Sequence, residues 1–192
     1  MNKRRVFLAI NLPEEVRSRL VAVQQKLARA VPGNAVRWTS PVQLHLTLKF
    51  LGHLPEETVS RISAEAQSVC GRLRAFQVNA SDVGFFPNAN HPRIVWAGIE
   101  GLGLADLQPR LEAACCAITA QPEENRFKGH VTLGRVKSLT RTDAGQLGQA
   151  VQSQTNHDYR AWTVHTVELM QSELSSEGSI YSVLSSFHHV DD

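Results

Sequence analysis

Two four-residue units in this chain pair an imidazole with a hydroxyl. His-Leu-Thr-Leu occupies residues 45–48 and His-Val-Thr-Leu residues 130–133. Alternate side chains of a strand point to opposite faces. His45 and Thr47 therefore share one face, and Leu46 and Leu48 the other. His130 and Thr132 are set against Val131 and Leu133 in the same way. Each unit offers an imidazole and a hydroxyl to a groove while its apolar residues face a core. Two such strands side by side bring two imidazoles and two hydroxyls to one spot. That set suits in-line displacement at phosphorus. One imidazole takes a proton from the attacking water, and the other gives a proton to the departing oxygen. A histidine pKa of about 6.5 lets one ring be neutral and the other protonated near neutral pH. Threonine hydroxyls can hold the non-bridging oxygens.

A lone histidine in a strand is ordinarily a core residue satisfied by a backbone carbonyl. The repeat argues otherwise: the chain has 8 histidines, and chance seldom yields two His-x-Thr-x units with apolar residues at both x positions. His53, His91, His157, His165, His188 and His189 lie outside any such unit and receive no role. No HExxH run is present, and no acid stands at metal-ligand spacing beside either unit. The expected site holds neither metal nor cofactor.

The elements that must position these units follow from hydrophobic patterning. RVFLAI, residues 5–10, is a short apolar run that predicts a buried strand. The stretch from Asn11 to Glu15 predicts a helix start, with Asn11 as cap, an early proline and acids in the first turn. Val16, Leu20, Val23 and Leu27 recur at helical spacing. Residues 36–38 form a short extended piece, and LHLTLKFLG reads as a strand. Residues 55–73 predict a second helix, with Val59, Ile62, Ala66 and Val69 on one face. FQVNASDVGFFP and RIVWAGIE predict strands, residues 104–118 a helix, FKGHVTLGRV a strand, and residues 140–151 a shorter helix. WTVHTVELMQSEL and SIYSVLSSF close the chain as two strands around Ser176, Glu177 and Gly178.

A repeat emerges from this order. RVFLAI and its helix precede the first His-x-Thr strand, and RIVWAGI and its helix precede the second. Setting Arg5 on Arg93 aligns Val6 with Ile94, Phe7 with Val95, Leu8 with Trp96 and Ala9 with Ala97. The pattern predicts two similar halves related by a pseudo-two-fold, with the His-x-Thr strands meeting near the axis. The two imidazoles must then stand within about 10 Å of each other to serve one phosphate.

The 192 residues carry 42% hydrophobic and 20% charged side chains, with a formal net charge of +2. Those values suit a globular protein with a substantial core and exclude a strongly basic protein that coats nucleic acid. Any anion must be held by a few local groups. Cys70, Cys115 and Cys116 are odd in number and show no paired spacing, which argues against a disulfide framework and for a reducing compartment. Cys115 and Cys116 are adjacent in a helix, so at most one faces the core squarely. The N-terminal apolar run is too short for a secretory signal, and no run reaches membrane-spanning length. The expectation is a soluble, cytoplasmic protein.

The sequence resembles the two-histidine (2H) phosphoesterase superfamily and, within it, the bacterial and archaeal RNA 2',3'-cyclic phosphodiesterases formerly called 2'-5' RNA ligases. RVFLAINLPEEV, HLTLKFLG, RIVWAGI, RFKGHVTLGRV and VELMQSELSSEGSIYSVLSSF carry the resemblance, in the family's order and over nearly the whole chain. It implies an α+β, bilobal fold spanning residues 1–192 as one domain. Two pseudo-symmetric lobes of antiparallel sheet flank a central groove, with helices outside. It implies hydrolysis of a terminal 2',3'-cyclic phosphate on RNA to a 2'-phosphomonoester, by a monomer. Carried over by motif position, His45 is the general acid for the 3'-oxygen, His130 is the general base for water, and Thr47 and Thr132 bind the phosphate. One departure is Gly129, where the family usually has proline just before the second histidine.

Three further residues are candidate substrate contacts. Lys49 has the parity of His45 and Thr47. Arg135 lies on the opposite face from His130 by strict alternation, but a bulge at Gly134 would re-aim it. Trp38 is the best-placed base-stacking group, ahead of Phe7 and Tyr181, because RNA ends are often held by stacking. Two alternatives stand beside hydrolysis. One is reversible 2'-5' joining of RNA ends, with a 5'-hydroxyl in place of water. The other is a non-catalytic module that binds RNA ends or nucleotides.

Overall fold

The RVFLAI run lies inside the first strand, β1 (Lys3–Asn11), and leads into α1 (Glu14–Ala28). The computed structural model describes residues 3–120, 127–154, 158–175 and 178–190. After α1 come β2 (Val36–Trp38), a single 3-10 turn (Pro41–Gln43), β3 (His45–Pro55), α2 (Glu56–Cys70), β4 (Phe76–Phe86) and β5 (Ile94–Glu100). They are followed by α3 (Leu102–Thr119), β6 (His130–Val136), α4 (Arg141–Gln152), β7 (Asp158–Val164), β8 (Thr166–Ser175) and β9 (Gly178–His188). The expected turn at Ser176 and Glu177 lies outside the described residues.

The long strands are ordered β7-β4-β5-β6-β3-β1-β8-β9, and β2 adds to the free end of β6. Neighbours along this order are antiparallel. The two His-x-Thr strands form the central seam, where Leu46 opposes Val131. Outward from the seam each half repeats one plan: the motif strand, the apolar strand that precedes it in the chain, then two more. This α+β arrangement of two halves about a pseudo-two-fold is the one the repeat predicted.

The internal match shifts by one residue from the alignment read in the sequence. Ala9 opposes Thr47 and Leu8 opposes Lys49, whereas Trp96 opposes Thr132 and Val95 opposes Gly134. Ala9 thus corresponds to Trp96 and not to Ala97. The arginine that opens each run is a false landmark, and the apolar residues behind it set no register of their own.

Helix α1 follows β1 of one half but packs against β6, β7 and α4 of the other, and α3 reaches back to β3 and α2. Val16, Leu20, Val23 and Leu27 are buried on α1 as their spacing requires, and Val59, Ile62, Ala66 and Cys70 on α2. Each fully buried leucine contributes about 1.5–3 kcal/mol. Val69 is only partly covered, and Cys70 takes its place on that face. Cys115 is buried and Cys116 only partly so.

Two local readings are corrected. Asn11 is not a helix cap: it ends β1 and its amide donates to Glu168. Pro13 precedes the first turn without a side-chain cap, and Glu14 and Glu15 offset the exposed N–H groups there. WTVHTVELMQSEL is two strands: β7 pairs with β4, and β8 with β1 in the other half.

Candidate active site

Antiparallel pairing of Leu46 with Val131 places His45 opposite Thr132 and Thr47 opposite His130. All four side chains leave the seam on the face away from the buried Leu46 and Val131. The two histidines are diagonal neighbours, a relation that ordinarily spans about 7–8 Å. Both rings are half-buried.

The two rings are held alike. His45 Nδ1 donates to the Gln43 carbonyl at 2.8 Å, and His130 Nδ1 donates to the Lys128 carbonyl at 2.7 Å. A carbonyl only accepts, so Nδ1 carries the proton and Nε2 is presented for chemistry. His45 Nε2 meets Thr47 Oγ1 at 3.0 Å. Burial holds the pKa of His45 below the ordinary value; the Gln43 carbonyl opposes this, and the charge of His130 adds to it. Burial likewise lowers the pKa of His130, opposed by the Lys128 carbonyl and reinforced by the charges of Lys128 and Arg135. Each ring therefore sheds its proton readily unless an anion is present.

The fourth residue of each motif is a β-bulge. The β1–β3 register slips past Leu48 and the β5–β6 register slips past Leu133. A bulge reverses the parity of the residues beyond it. Phe50 and Arg135 consequently emerge exposed beside the site, while Lys49 and Gly134 turn inward. Arg135 thus lies in the wall of the cavity beside the site, beyond a bulge whose extra residue is Leu133 and not Gly134.

Lys49 is already engaged within the protein. Its side chain is 3% exposed and its Nζ lies 2.5 Å from Glu112 Oε1 on α3. It is a buried ion-pair partner, turned inward by the bulge at Leu48, and it also lines the smaller cavity beside Thr47 and His130. At the matching place in β6, a Cβ on Gly134 would stand 2.8 Å from Val36 Cγ1 and 2.9 Å from the Trp38 ring. Only glycine lets β2 lie this close.

A bulge leaves backbone groups that the ladder no longer satisfies. Gln24 of α1 donates from Nε2 to the carbonyls of Leu133 at 2.7 Å and Thr39 at 2.9 Å. Gln108 of α3 donates to the Leu48 carbonyl at 3.4 Å and to Glu112 at 3.3 Å. Both glutamines are buried. Each helix thereby holds the bulge of the opposite half's motif.

Aromatic rings flank both imidazoles. Phe7 lies against His45 with centroids 5.0 Å apart, and Tyr181 meets it edge-on at 5.3 Å. Phe86 meets His130 edge-on at 4.9 Å and packs on Trp96 at 5.2 Å. Lys128 Nζ sits 3.9 Å from the Trp96 ring centre. Phe7 belongs to a small cluster with Ala9 and Met170, separate from the main core. Phe50, Phe86 and Trp96 escaped sequence reading; the bulge parity places the first, and the corrected register places Trp96 beside Thr132.

Two cavities open here. One, of about 600 Å³, is lined by Phe7, Trp38, Phe50, Arg135 and Tyr181 among others. The other, of about 260 Å³, is lined by Thr47, Lys49, Phe50, Phe86, Lys128 and His130 among others. Trp38 thus stands in the wall of the larger cavity. Among the described residues, no group of three His, Cys, Asp or Glu side chains could hold a metal ion. No described helix is long and apolar enough to cross a membrane.

Gly129 is not a loose joint. Its carbonyl accepts the Ile99 N–H at 2.9 Å, and a Cβ there would lie 2.3 Å from the Ile99 carbonyl oxygen. Neither alanine nor the family's usual proline fits without a backbone shift. Gly129→Ala is expected to lower unfolding free energy by about 1–3 kcal/mol, measured by urea titration. An unchanged midpoint would show that the strand start yields freely.

An α+β fold whose two central strands each carry a His-x-Thr-x unit defines a two-histidine phosphoesterase. A family model described as LigT-like phosphoesterase matches residues 10–96 and 101–181, and the chain belongs to that family. The RNA 2',3'-cyclic phosphodiesterase of Methanothermobacter thermautotrophicus is 31% identical over 186 residues, covering 96% of this chain and 98% of that one. The RNA 2',3'-cyclic phosphodiesterase of Thermus thermophilus is 32% identical over 190 residues, covering 95% of this chain and 89% of that one. The crystal structure of TT0787 from Thermus thermophilus superposes with a TM-score of 0.80 at 31% identity, over 96% of this chain and 97% of that one.

Proposed function

We propose that this protein hydrolyses the terminal 2',3'-cyclic phosphate of RNA to a 2'-phosphomonoester by metal-independent acid–base catalysis. The observation that carries the reading is the convergence of two imidazoles and two threonine hydroxyls on one face of the β3–β6 seam. Both rings donate from Nδ1 to a carbonyl two residues earlier, which leaves Nε2 for proton transfer. The relatives named for this activity support the substrate class.

In the reaction, water attacks phosphorus in line with the P–O3' bond. His130 Nε2 takes a proton from the water as the new P–O bond forms. The P–O3' bond breaks, and His45 Nε2–H protonates O3'. The product carries a 3'-hydroxyl and a 2'-phosphomonoester. Thr47 and Thr132 donate to the non-bridging oxygens, and Arg135 adds positive charge beside them. Trp38 offers a surface for a base. Both histidines come from one chain, so a monomer suffices. The described cysteines form no disulfide, which suits the cytoplasm.

The test is product analysis on an oligonucleotide ending in a 2',3'-cyclic phosphate, with EDTA present. The expected product is the 2'-phosphate, at a rate that EDTA leaves unchanged. A 3'-phosphate would reverse which ester oxygen faces His45, and loss of activity in EDTA would end the metal-independent reading.

A further inference from the structure

The larger cavity holds a concentration of charge of which the hydrolytic step uses only Arg135. Arg5, Arg37 and Arg135 all line it, and no carboxylate is among its described lining residues. The whole chain carries a net charge of only +2, so this clustering is local. Arg37 and Arg135 are directly opposed on β2 and β6. Like charges opposed across a strand pair destabilise it. Among the described residues, neither arginine has an ion-pair partner. Arg5 donates to the neutral Ser172 hydroxyl at 3.0 Å, which orients its guanidinium without cancelling its charge.

Aromatic surface runs between these charges. Trp38, Phe50 and Tyr181 line the same cavity, and Tyr181 also touches His45. Cationic groups alternating with rings are the composition of a single-strand nucleic-acid groove, where phosphates meet arginine and bases stack. An RNA whose terminal nucleotide bears the cyclic phosphate extends from the catalytic seam in one direction only, toward its 5' side. Both ammoniums that line the smaller cavity are already engaged, Lys49 by the Glu112 carboxylate and Lys128 over the Trp96 ring.

We propose that the larger cavity binds the RNA strand upstream of the cyclic phosphate, with Arg5 and Arg37 holding internucleotide phosphates. The protein then selects oligonucleotides over mononucleotides. This rests on the phosphodiesterase reading above and adds a specificity site to it.

The experiment compares kcat/KM for a nucleoside 2',3'-cyclic monophosphate and for a pentanucleotide ending in the same group, in the native protein and in the double variant Arg5→Gln/Arg37→Gln. Anisotropy of a labelled pentanucleotide with a 3'-phosphate end measures binding alongside. The native protein is expected to prefer the pentanucleotide, and the double variant to lower that preference at least tenfold, through KM. The slope of log binding constant against log salt becomes shallower by about 0.7 per arginine removed. Equal turnover of both substrates by the native protein overturns the proposal, as does an equal loss on both in the double variant. Should neither substrate be cleaved while pentanucleotide binding falls in the double variant, the strand site stands and the hydrolytic reading fails. Unaltered binding in the double variant refutes the site whatever the turnover.

Discussion

His45→Ala and His130→Ala each lower turnover of a cyclic-phosphate-ended RNA by about 10²–10⁴-fold, the usual worth of a positioned acid or base. Unfolding free energy should change by only about 1–2 kcal/mol, because each ring is half-buried and loses chiefly one carbonyl hydrogen bond and its aromatic neighbours. The loss comes from the proton, because the threonines, Arg135 and both cavities stay in place. Circular dichroism and urea titration check the fold, and initial rates check the chemistry. Native-like turnover in either variant would remove that histidine from the mechanism.

Lys49→Met is expected to have the largest effect on stability. It leaves the Glu112 carboxylate buried without the ammonium that lies 2.5 Å from it. Breaking one side of a buried pair typically costs about 3–5 kcal/mol, because the remaining charge is uncompensated. Replacing Glu112 as well, with leucine, should recover most of that loss, since a matched apolar pair of similar volume is often neutral. Chemical denaturation of the two variants gives both numbers. A loss below about 1 kcal/mol in Lys49→Met would show that solvent reaches the pair. The pair joins α3 to β3 immediately after the first motif, so activity of the single variant should fall with its folded fraction.

The catalytic face was legible in the sequence because strand alternation is a strict rule over a few residues. Four side chains at His45, Thr47, His130 and Thr132 needed only that rule and the assumption that the strands adjoin. The rule failed where the backbone departs from regular pairing. Lys49 and Arg135 lie beyond bulges at Leu48 and Leu133, and a bulge depends on what packs behind the strand. Here that is Gln24 and Gln108, whose helices arrive from the opposite halves. No local pattern encodes that contact.

A signal did exist for the split of the closing segment. Trp162 and Val164 are buried at even positions, and Val167 and Leu169 at odd ones. The alternation slips phase at His165, where the chain crosses from one half of the sheet to the other. The internal repeat was likewise visible, but its register was not, because the apolar residues behind Arg5 and Arg93 align almost equally well one residue apart. Asn11 misled for a related reason: a residue type favoured at caps also serves at a strand end when a carboxylate, here Glu168, stands beside it.

The pH dependence of kcat/KM in the native protein and the two histidine variants bears most directly on the two-histidine mechanism. The native profile should be bell-shaped, needing His130 neutral and His45 protonated. Burial lowers both pKa values, so the optimum should fall on the acid side of the ordinary histidine value. The residual activity of His130→Ala should lose the acid limb, and that of His45→Ala the alkaline limb. A complete bell retained in either variant would contradict the assignment of acid and base to these two rings.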